Sequence, residues 1–435
     1  MCGYNIIKIY YYVLFYKGEV MQRNIKLFPV YKLFSYDILF YYAVSILFLT
    51  GAKGFSVSQA ALLSSIYSFA AILSQIPASI VADKIGLRTS MITGNILIMI
   101  WAIFYLTIPT FSIIIIGEFC CAFGFALKGV SESPFLYSSL KKLNKVSDFA
   151  KVESKGSSLY FIVEAVASIA AGYLYFINPY LPMIFSATCA LIATVLAFYM
   201  KPIKTAEKDK KTTKERFEET FGGFKFIFKS KRLHAILIFA CVFYGVLSLS
   251  NMYIKTFLND INVSSTLFGY IFAIASVASA VGSMVQDKIE KKHRNKTLTT
   301  ISITYILSFV LLGMLALIFK NYNVLLTAGI IVFLIQSLIK GAYRIIIKEY
   351  VSRYTTSSIR SKLMSIYYLA ESFGSAILMF IASKTIDLVP IGVSYCVFGF
   401  SLFIVMILIL NYMNSRMGLD PSKYGKSDRM DLQEE

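Results

Sequence analysis

The sequence SIVADKI at residues 79–85 returns as SMVQDKI at residues 283–289, in the second half of the chain. Each copy ends a long apolar run, and in each an acidic residue, Asp83 or Asp287, is followed at once by a lysine. A local pattern that returns in the same setting indicates an internal repeat. The sequence therefore predicts two structurally similar halves.

Two further matches support the repeat. A tyrosine, a glutamate and a serine at steps of four residues occur once in each half: Tyr160, Glu164 and Ser168, then Tyr367, Glu371 and Ser375. A Lys-Gly pair begins at Lys128 in the first half and at Lys340 in the second. Because the three matches are distributed over both halves, coincidence is a poor explanation for them.

Apolar runs long enough to cross a membrane occupy almost the whole chain. Its mean hydropathy is +0.67, and 57% of its 435 residues are hydrophobic against 15% charged. A bilayer core of about 30 Å requires roughly 20 apolar residues per helix. The predicted spans are residues 36–52, 58–82, 90–109, 112–138, 157–177, 180–200, 234–257, 265–287, 298–319, 323–350, 363–386 and 391–413. The predicted fold class is an all-α integral membrane protein of twelve transmembrane helices, built as two pseudo-symmetric six-helix bundles.

The basic residues are concentrated in alternate connecting segments. The chain has 43 Lys and Arg against 24 Asp and Glu, a formal net charge of +19. With the N-terminus inside, most of these basic residues fall on the cytoplasmic side, as the positive-inside rule requires. The charge is thus interpreted as an orientation signal for the lipid bilayer, and no nucleic-acid partner is expected. Both termini are predicted to be cytoplasmic in a bacterial inner (plasma) membrane.

A polar stretch at residues 201–232 divides the chain into a bundle at 24–200 and a bundle at 233–413, with a cytoplasmic tail at 414–435. Aromatic residues recur in this linker at steps of three and four: Phe217, Phe221, Phe224 and Phe228. This spacing predicts an amphipathic helix that lies either on the lipid headgroups or against the cytoplasmic side of the bundle.

Residues 1–23 are predicted to be an N-terminal extension. Their apolar run is short and lacks the small-residue cleavage site of a signal peptide. Met21, followed by Gln22 and Arg23, resembles a natural start, so native protein is expected to begin there.

Ionisable side chains within apolar spans are the first functional candidates, because an unpaired charge in a membrane is costly. The fourth span carries Glu118, Lys128 and Glu132, with Lys128 four residues before Glu132. The tenth span carries Lys340 and Arg344 at the same step. Lys128 and Glu132 either bind a solute or form an ion pair that holds the helices in register.

Glu164 and Glu371 recur at equivalent places in the two halves. A carboxyl group buried near the middle of a membrane can carry a coupling proton, and Asp37 in the first span is a further candidate. The alternative is that Glu164 and Glu371 pair with Lys340 or Arg344, or recur through shared ancestry alone.

The loop from Ser79 to Arg88 has the form S-x-x-x-D-K-x-G-x-R, which resembles the G-x-x-x-D-(R/K)-x-G-(R/K)-(R/K) signature of the major facilitator superfamily. The resemblance extends to the twelve spans, the charged central linker and the second copy of the loop. This sequence departs from the signature where Ser79 replaces a glycine and where Leu87 replaces a basic residue; in the second copy Glu290 replaces a glycine.

The resemblance implies a central cavity lined by the first, fourth, seventh and tenth spans. The residues that it implies for this cavity are Asp37, Tyr41, Glu118, Lys128, Glu132, Asn251, Lys340 and Arg344. It also implies that the loop of the signature latches the cytoplasmic side shut. The loop residues concerned are Asp83, Lys84, Gly86 and Arg88, with Asp287 and Lys288 as the counterpart in the second half. The alternative for these loop residues is that they are ordinary solvated charges.

The resemblance implies a secondary active transporter, acting as a monomer by alternating access on a small-molecule solute, with protons as the coupling ion. Residues 37–54, followed by Gln75-Ile76-Pro77 and Asp83-Lys84, resemble efflux-type bacterial members, so proton-coupled export of an amphipathic compound is ranked first. Solute uptake by symport is ranked second. Within the fifth span the stretch Ala-Ser-Ile-Ala-Ala-Gly, ending at Gly172, stands where drug antiporters carry G-P-x-x-G-G, which weakens a drug-antiporter assignment. A sensor or lipid-handling protein without transport is the third interpretation.

Motifs of several enzyme classes are missing from the sequence. There is no G-x-x-x-x-G-K-(S/T) loop for ATP phosphates, no H-E-x-x-H and no G-x-S-x-G, and the two histidines, His234 and His293, lie at span ends. The six cysteines show no C-x-x-C spacing. The sequence therefore predicts neither an enzyme nor a bound cofactor or metal.

Overall fold

The computed structural model describes residues 21–203, 231–293, 296–353 and 357–417, and these residues form helices without a strand. In chain order the helices are α1 (21–35), α2 (Tyr41–Leu47), α3 (Val57–Ile85), α4 (Leu87–Thr107), α5 (Phe111–Lys141), α6 (Phe149–Ile177), α7 (Leu181–Tyr199), α8 (Lys231–Asp260), α9 (Ser265–His293), α10 (Thr297–Ile318), α11 (Tyr322–Arg353), α12 (Ser357–Thr385) and α13 (Ile391–Met417). A π-helical turn, Phe48–Ala52, continues α2.

Within these described residues, 11 helices, α3 to α13, are long and apolar enough to cross a membrane. They overlap the second to the twelfth predicted spans, so the predicted all-α membrane fold class is confirmed. A helix satisfies its backbone hydrogen bonds within its own segment, which is why it suits a solvent without water. The protein is a multi-pass membrane protein.

The first predicted span, residues 36–52, is interrupted rather than continuous. Helix α1 ends just before it, and Phe40 then takes a left-handed φ of 60° that an α-helix does not accommodate. The backbone N–H of Ile38 donates to Oδ1 of Asp37 at 2.7 Å, a local bond that competes with helical hydrogen bonding. The chain resumes as a shorter apolar helix, Tyr41–Ala52.

The described helices fall into two compact units. Of the described residues, the first unit contains 21–43 and 73–203, and the second contains 44–72 and those from 231 to 417. The π-helical turn and the first half of α3 therefore cluster with the second unit.

The predicted six-helix bundles at 24–200 and 233–413 remain a prediction. The predicted amphipathic helix of the linker lies outside the described residues, as do residues 1–20 and the tail beyond residue 417.

Helices α4 and α5 of the first unit approach each other at two glycines. A Cβ atom on Gly94 would lie 2.7 Å from the carbonyl oxygen of Gly124, and a Cβ on Gly124 would lie 2.7 Å from the carbonyl oxygen of Gly94. Small residues at such crossings let transmembrane backbones come into contact. The side chain of Lys128 lies over Gly94, so this crossing also positions a candidate functional residue.

In the second unit, α8 and α12 also approach each other at two glycines. A Cβ atom on Gly245 would lie 2.6 Å from the carbonyl oxygen of Gly374. These two helices are thus held in backbone contact by their glycines, as α4 and α5 are in the first unit.

Residues 44–72 are fixed to α12 by hydroxyl groups. The Oγ of Ser65 donates to the carbonyl oxygen of Ala376 at 2.7 Å, and the Oγ of Ser68 donates to the Oγ of Ser375 at 3.1 Å. All of these atoms belong to buried residues. Interhelical bonds from serine are a common source of cohesion among membrane helices.

The glycine crossing predicts a position-specific effect on stability. Gly124→Ala is expected to lower the thermal stability of the purified protein, because overpacking at the crossing costs about 1–3 kcal/mol. Gly129→Ala is the matched control: it lies on the same helix, and a Cβ there meets nothing within 4 Å. The measurement is the loss of monodisperse protein on heating; equal stability of the two variants would contradict the backbone contact.

Candidate functional site

Glu132 of α5 is surrounded by donors from α1. Its carboxylate accepts hydrogen bonds from the hydroxyl of Tyr31 at 2.9 Å, the ammonium of Lys32 at 2.7 Å and the hydroxyl of Ser35 at 2.8 Å. All four residues are buried. The buried carboxylate thus has one cation and two further hydrogen-bond donors as partners, and burial of a charge requires such partners.

The ion pair suggested between Lys128 and Glu132 is wrong. Lys32 occupies Glu132, while the ammonium of Lys128 donates to the backbone carbonyl of Ser35 and lies 4.6 Å from the ring centroid of Phe125. The four-residue spacing places Lys128 and Glu132 on one helix face, but Lys32 of α1 forms the ion pair with the carboxylate instead. Lys32 was missed because it lies before the predicted first span.

Lys32 also joins a third helix to this network. Its ammonium lies 3.3 Å from Oε1 of Glu153 on α6, and the hydroxyl of Ser133 donates to the same oxygen at 3.3 Å. The amide of Asn95 on α4 donates to the hydroxyl of Tyr31 at 3.3 Å. The cluster therefore ties α1, α4, α5 and α6 together, and its ion pairs fit a structural role.

A recess in the first unit lies beside this cluster. It is narrow, with a cavity volume of about 10 Å³ that is room for about one water molecule, it is partly open to solvent, and both Asp37 and Lys128 line it. Its lining also includes an amide and several aromatic or small side chains: Asn95, Trp101, Phe34, Phe125 and Ser186. Asp37 is exposed and Lys128 is buried. The recess thus combines one acidic group, one basic group and aromatic surface, which is a suitable composition for a small ligand.

Glu118 lies in a separate aromatic pocket of the first unit. It is 6% exposed, and its Oε1 accepts hydrogen bonds from the indole Nε1 of Trp101 at 3.2 Å and from the hydroxyl of Tyr105. The ring of Tyr41 packs edge-on against Trp101, with 5.4 Å between centroids. Within the part of the chain that the structure describes, no basic side chain lies within 4 Å of Glu118.

The repeated glutamates occupy different surroundings. Glu164 is half-buried in the first unit. Glu371 in the second unit is 8% exposed, accepts a hydrogen bond from the hydroxyl of Tyr367, and is attracted electrostatically by Arg344 and Lys348. A repeated position in the sequence therefore does not give a repeated environment.

The remaining predicted cavity residues belong to the second unit. Asn251 and Lys340 are half-buried, and Arg344 is exposed. Gln336, four residues before Lys340 in the tenth span, accepts from Ser250 at 2.8 Å and donates to Ser308 at 3.2 Å. Their role in binding a solute remains a prediction.

The signature loop connects α3 and α4. Asp83 and Lys84 are exposed at the end of α3, and Gly86 has a left-handed φ of 86°, which favours glycine. Arg88 donates to the carbonyl oxygens of Ala197 at 3.0 Å and Phe198 at 2.6 Å. Arg88 thus satisfies backbone carbonyls at the end of α7.

The counterpart in the second half, Asp287 and Lys288, is exposed on α9. The latching role of both loops remains a prediction.

Comparisons with known proteins agree on one family. The sequence model of the Major Facilitator Superfamily matches residues 32–342 and 260–428. The uncharacterized MFS-type transporter YxaM of Bacillus subtilis (strain 168) is 22% identical over 365 residues, which cover 82% of this chain and 86% of that protein.

Two solved structures share the fold. The crystal structure of nucleoside transporter NupG matches with a TM-score of 0.69 and 15% identity over 93% of this chain and 100% of that one. A POT family transporter in complex with 5-aminolevulinic acid matches with a TM-score of 0.66 and 15% identity over 91% and 96% of the two chains. At such identities the likeness is one of fold alone.

The Glu132 cluster predicts a non-additive pair of substitutions. Lys32→Met is expected to destabilise the protein by about 3–5 kcal/mol, because it leaves a buried carboxylate without its cation. Lys32→Met combined with Glu132→Gln should recover much of that loss, since the buried charge is then gone. Thermal unfolding in detergent measures both variants.

Lys26→Met is the control for this pair, because Lys26 is exposed on the same helix. If Lys32→Met is as stable as Lys26→Met, the assigned ion pair is wrong.

Proposed function

Because the chain belongs to the Major Facilitator Superfamily, we propose that it carries a small amphoteric solute across the membrane as a secondary active transporter. The family membership confirms the resemblance drawn from the loop at residues 79–88, and the chain is a membrane transporter of the MFS type. The class of solute, the direction of transport and the coupling to protons are parts of the proposal.

The observation that carries the proposal is the recess in the first unit. Asp37 and Lys128 present opposite charges to the same small space, and Asn95 adds an amide that can donate and accept. Among the described residues Lys128 contacts a carbonyl and an aromatic ring but no carboxylate within 4 Å. An acidic group of a solute would supply that anion, and a basic group of the same solute would meet Asp37.

The rings of Phe34, Trp101 and Phe125 give the recess an apolar side. Flat or apolar parts of a solute can pack there, while its charged groups face Asp37 and Lys128. This combination favours an amphipathic compound that carries both an acidic and a basic group.

Export driven by an inward proton flow is the direction we propose. It is supported by the likeness of residues 37–54, 75–77 and 83–84 to efflux-type members of the family. In alternating access the solute site faces one side of the membrane at a time, and a proton gradient biases the exchange between the two states.

Solute exchange in proteoliposomes tests the binding site. A panel of amphoteric compounds, with purely cationic and purely neutral ones beside it, is screened for exchange by the wild type. Lys128→Met and Asp37→Asn are each expected to raise the concentration of amphoteric solute that gives half-maximal exchange by about tenfold or more. The reason is that a hydrogen bond to a charged group contributes about 1.5–3 kcal/mol.

The control for these variants is Lys151→Met, which removes an exposed lysine elsewhere in the same unit. Unchanged half-saturation in both Lys128→Met and Asp37→Asn would contradict the assigned site. Accumulation in inside-out vesicles upon an imposed proton gradient supports export, and accumulation only in right-side-out vesicles supports uptake.

If the predicted bundles at 24–200 and 233–413 are the parts that move in alternating access, residues 44–72 and α12 belong to different moving parts, although they pack within one compact unit in this structure. A cross-link between them should then block the cycle. Cysteines introduced by Ser68→Cys and Ser375→Cys replace hydroxyls that are 3.1 Å apart, close enough for a disulfide. Oxidation is expected to stop transport and a reductant to restore it. Phe69→Cys with Ser375→Cys is the control, because Phe69 is 52% exposed. Full transport by the oxidised, cross-linked protein would contradict a cycle in which these segments separate.

A further inference from the structure

Trp101 belongs to two sites at once. Its side chain lines the recess that also contains Asp37 and Lys128, and its indole N–H donates to Glu118 at 3.2 Å. Glu118 itself is not part of the recess lining. A solute in the recess would therefore touch the side chain that holds the buried carboxylate, without touching the carboxylate.

The surroundings of Glu118 differ from those of the other buried carboxylates. Glu132 has Lys32 at 2.7 Å, and Glu371 is attracted by two basic side chains. Glu118 has only the neutral donors Trp101 and Tyr105 within hydrogen-bonding distance among the residues that the structure describes. An ionised carboxylate without a cation in an apolar setting depends strongly on each donor that it has.

We propose that Glu118 exchanges the coupling proton, and that Trp101 links this exchange to the occupancy of the recess. The inference rests on the proposed transport function and names the group that couples it. A solute that shifts the indole weakens or strengthens one of the two hydrogen bonds to the carboxylate. The free energy of protonation and the free energy of solute binding are then coupled, and the coupling is reciprocal.

The chemical step is a single proton transfer. The carboxylic acid of Glu118 loses its proton to water on one side of the membrane and regains one from water on the other, and only an O–H bond breaks and forms. The titratable groups that face Glu118 are Tyr105 on α4, Tyr41 on α2 and Cys121 on its own helix. Asp37 and Lys128 lie in the recess that Trp101 lines.

The chain offers a direct optical test, because Trp101 is its only tryptophan. The emission of the purified wild type is expected to follow a single pH titration, and this titration should be absent in Glu118→Gln. Glu164→Gln is the control and should keep it. Tyr105→Phe leaves the carboxylate in place and removes one donor, so it should move the midpoint. Emission that does not change with pH in the wild type, or a titration that survives in Glu118→Gln, overturns the inference.

Measurements of transport distinguish a failure of this inference from a failure of the proposed function. Exchange of one solute molecule for another needs no net proton movement, so Glu118→Gln should retain exchange and lose accumulation driven by a proton gradient. In the wild type, solute affinity should change with pH by about 5–150-fold, the usual range of such coupling, and in Glu118→Gln it should not.

If Glu118→Gln still accumulates solute with the proton gradient, the inference fails while the proposed function stands. If the wild type exchanges no solute of any class, the proposed function fails and the inference fails with it.

Discussion

The bilayer core offers no water, so each polar group that the helices carry into it must find its partner within the protein. Glu132 shows the consequence: three side chains of α1 converge on one carboxylate of α5. The helices can satisfy such groups only if they come close together, and the glycines at the α4 and α5 crossing make this possible. In the first unit, the pairing of buried polar groups therefore depends on backbone contact between the helices.

Helix α5 carries two buried carboxylates under opposite conditions. Glu118 and Glu132 are fourteen residues apart, about 21 Å along a helix that rises 1.5 Å per residue. Glu132 is fixed by a cation, and losing that cation would leave a buried charge unmatched. Glu118 is held by neutral donors, and it becomes neutral itself when it binds a proton. The first arrangement suits a permanent ion pair, while the second suits a group that changes its charge during a cycle.

Hydropathy was sufficient to predict the long spans, because a membrane helix is defined by its own length and composition. The interruption before α2 was not predictable from hydropathy, since it depends on the left-handed Phe40 and a local bond at Asp37. Among the candidate site residues, the sequence selected Glu118, Lys128 and Glu132 correctly as buried groups. Their partners were missed, because Lys32 and Trp101 belong to other helices, and the spacing of residues along α5 does not indicate which side chains of other helices contact it.

Helix α4 carries hydrogen-bond partners of both carboxylate clusters. Asn95 bonds to Tyr31 of the Glu132 cluster, while Trp101 and Tyr105, which are four residues apart, bond to Glu118. Because α4 is in backbone contact with α5 at Gly94, sliding of one helix past the other would disturb both networks together. A local turn of the Trp101 side chain disturbs only the bonds of Glu118. The packing thus favours a signal that passes from the recess to Glu118 through a side chain and leaves the Lys32 ion pair in place.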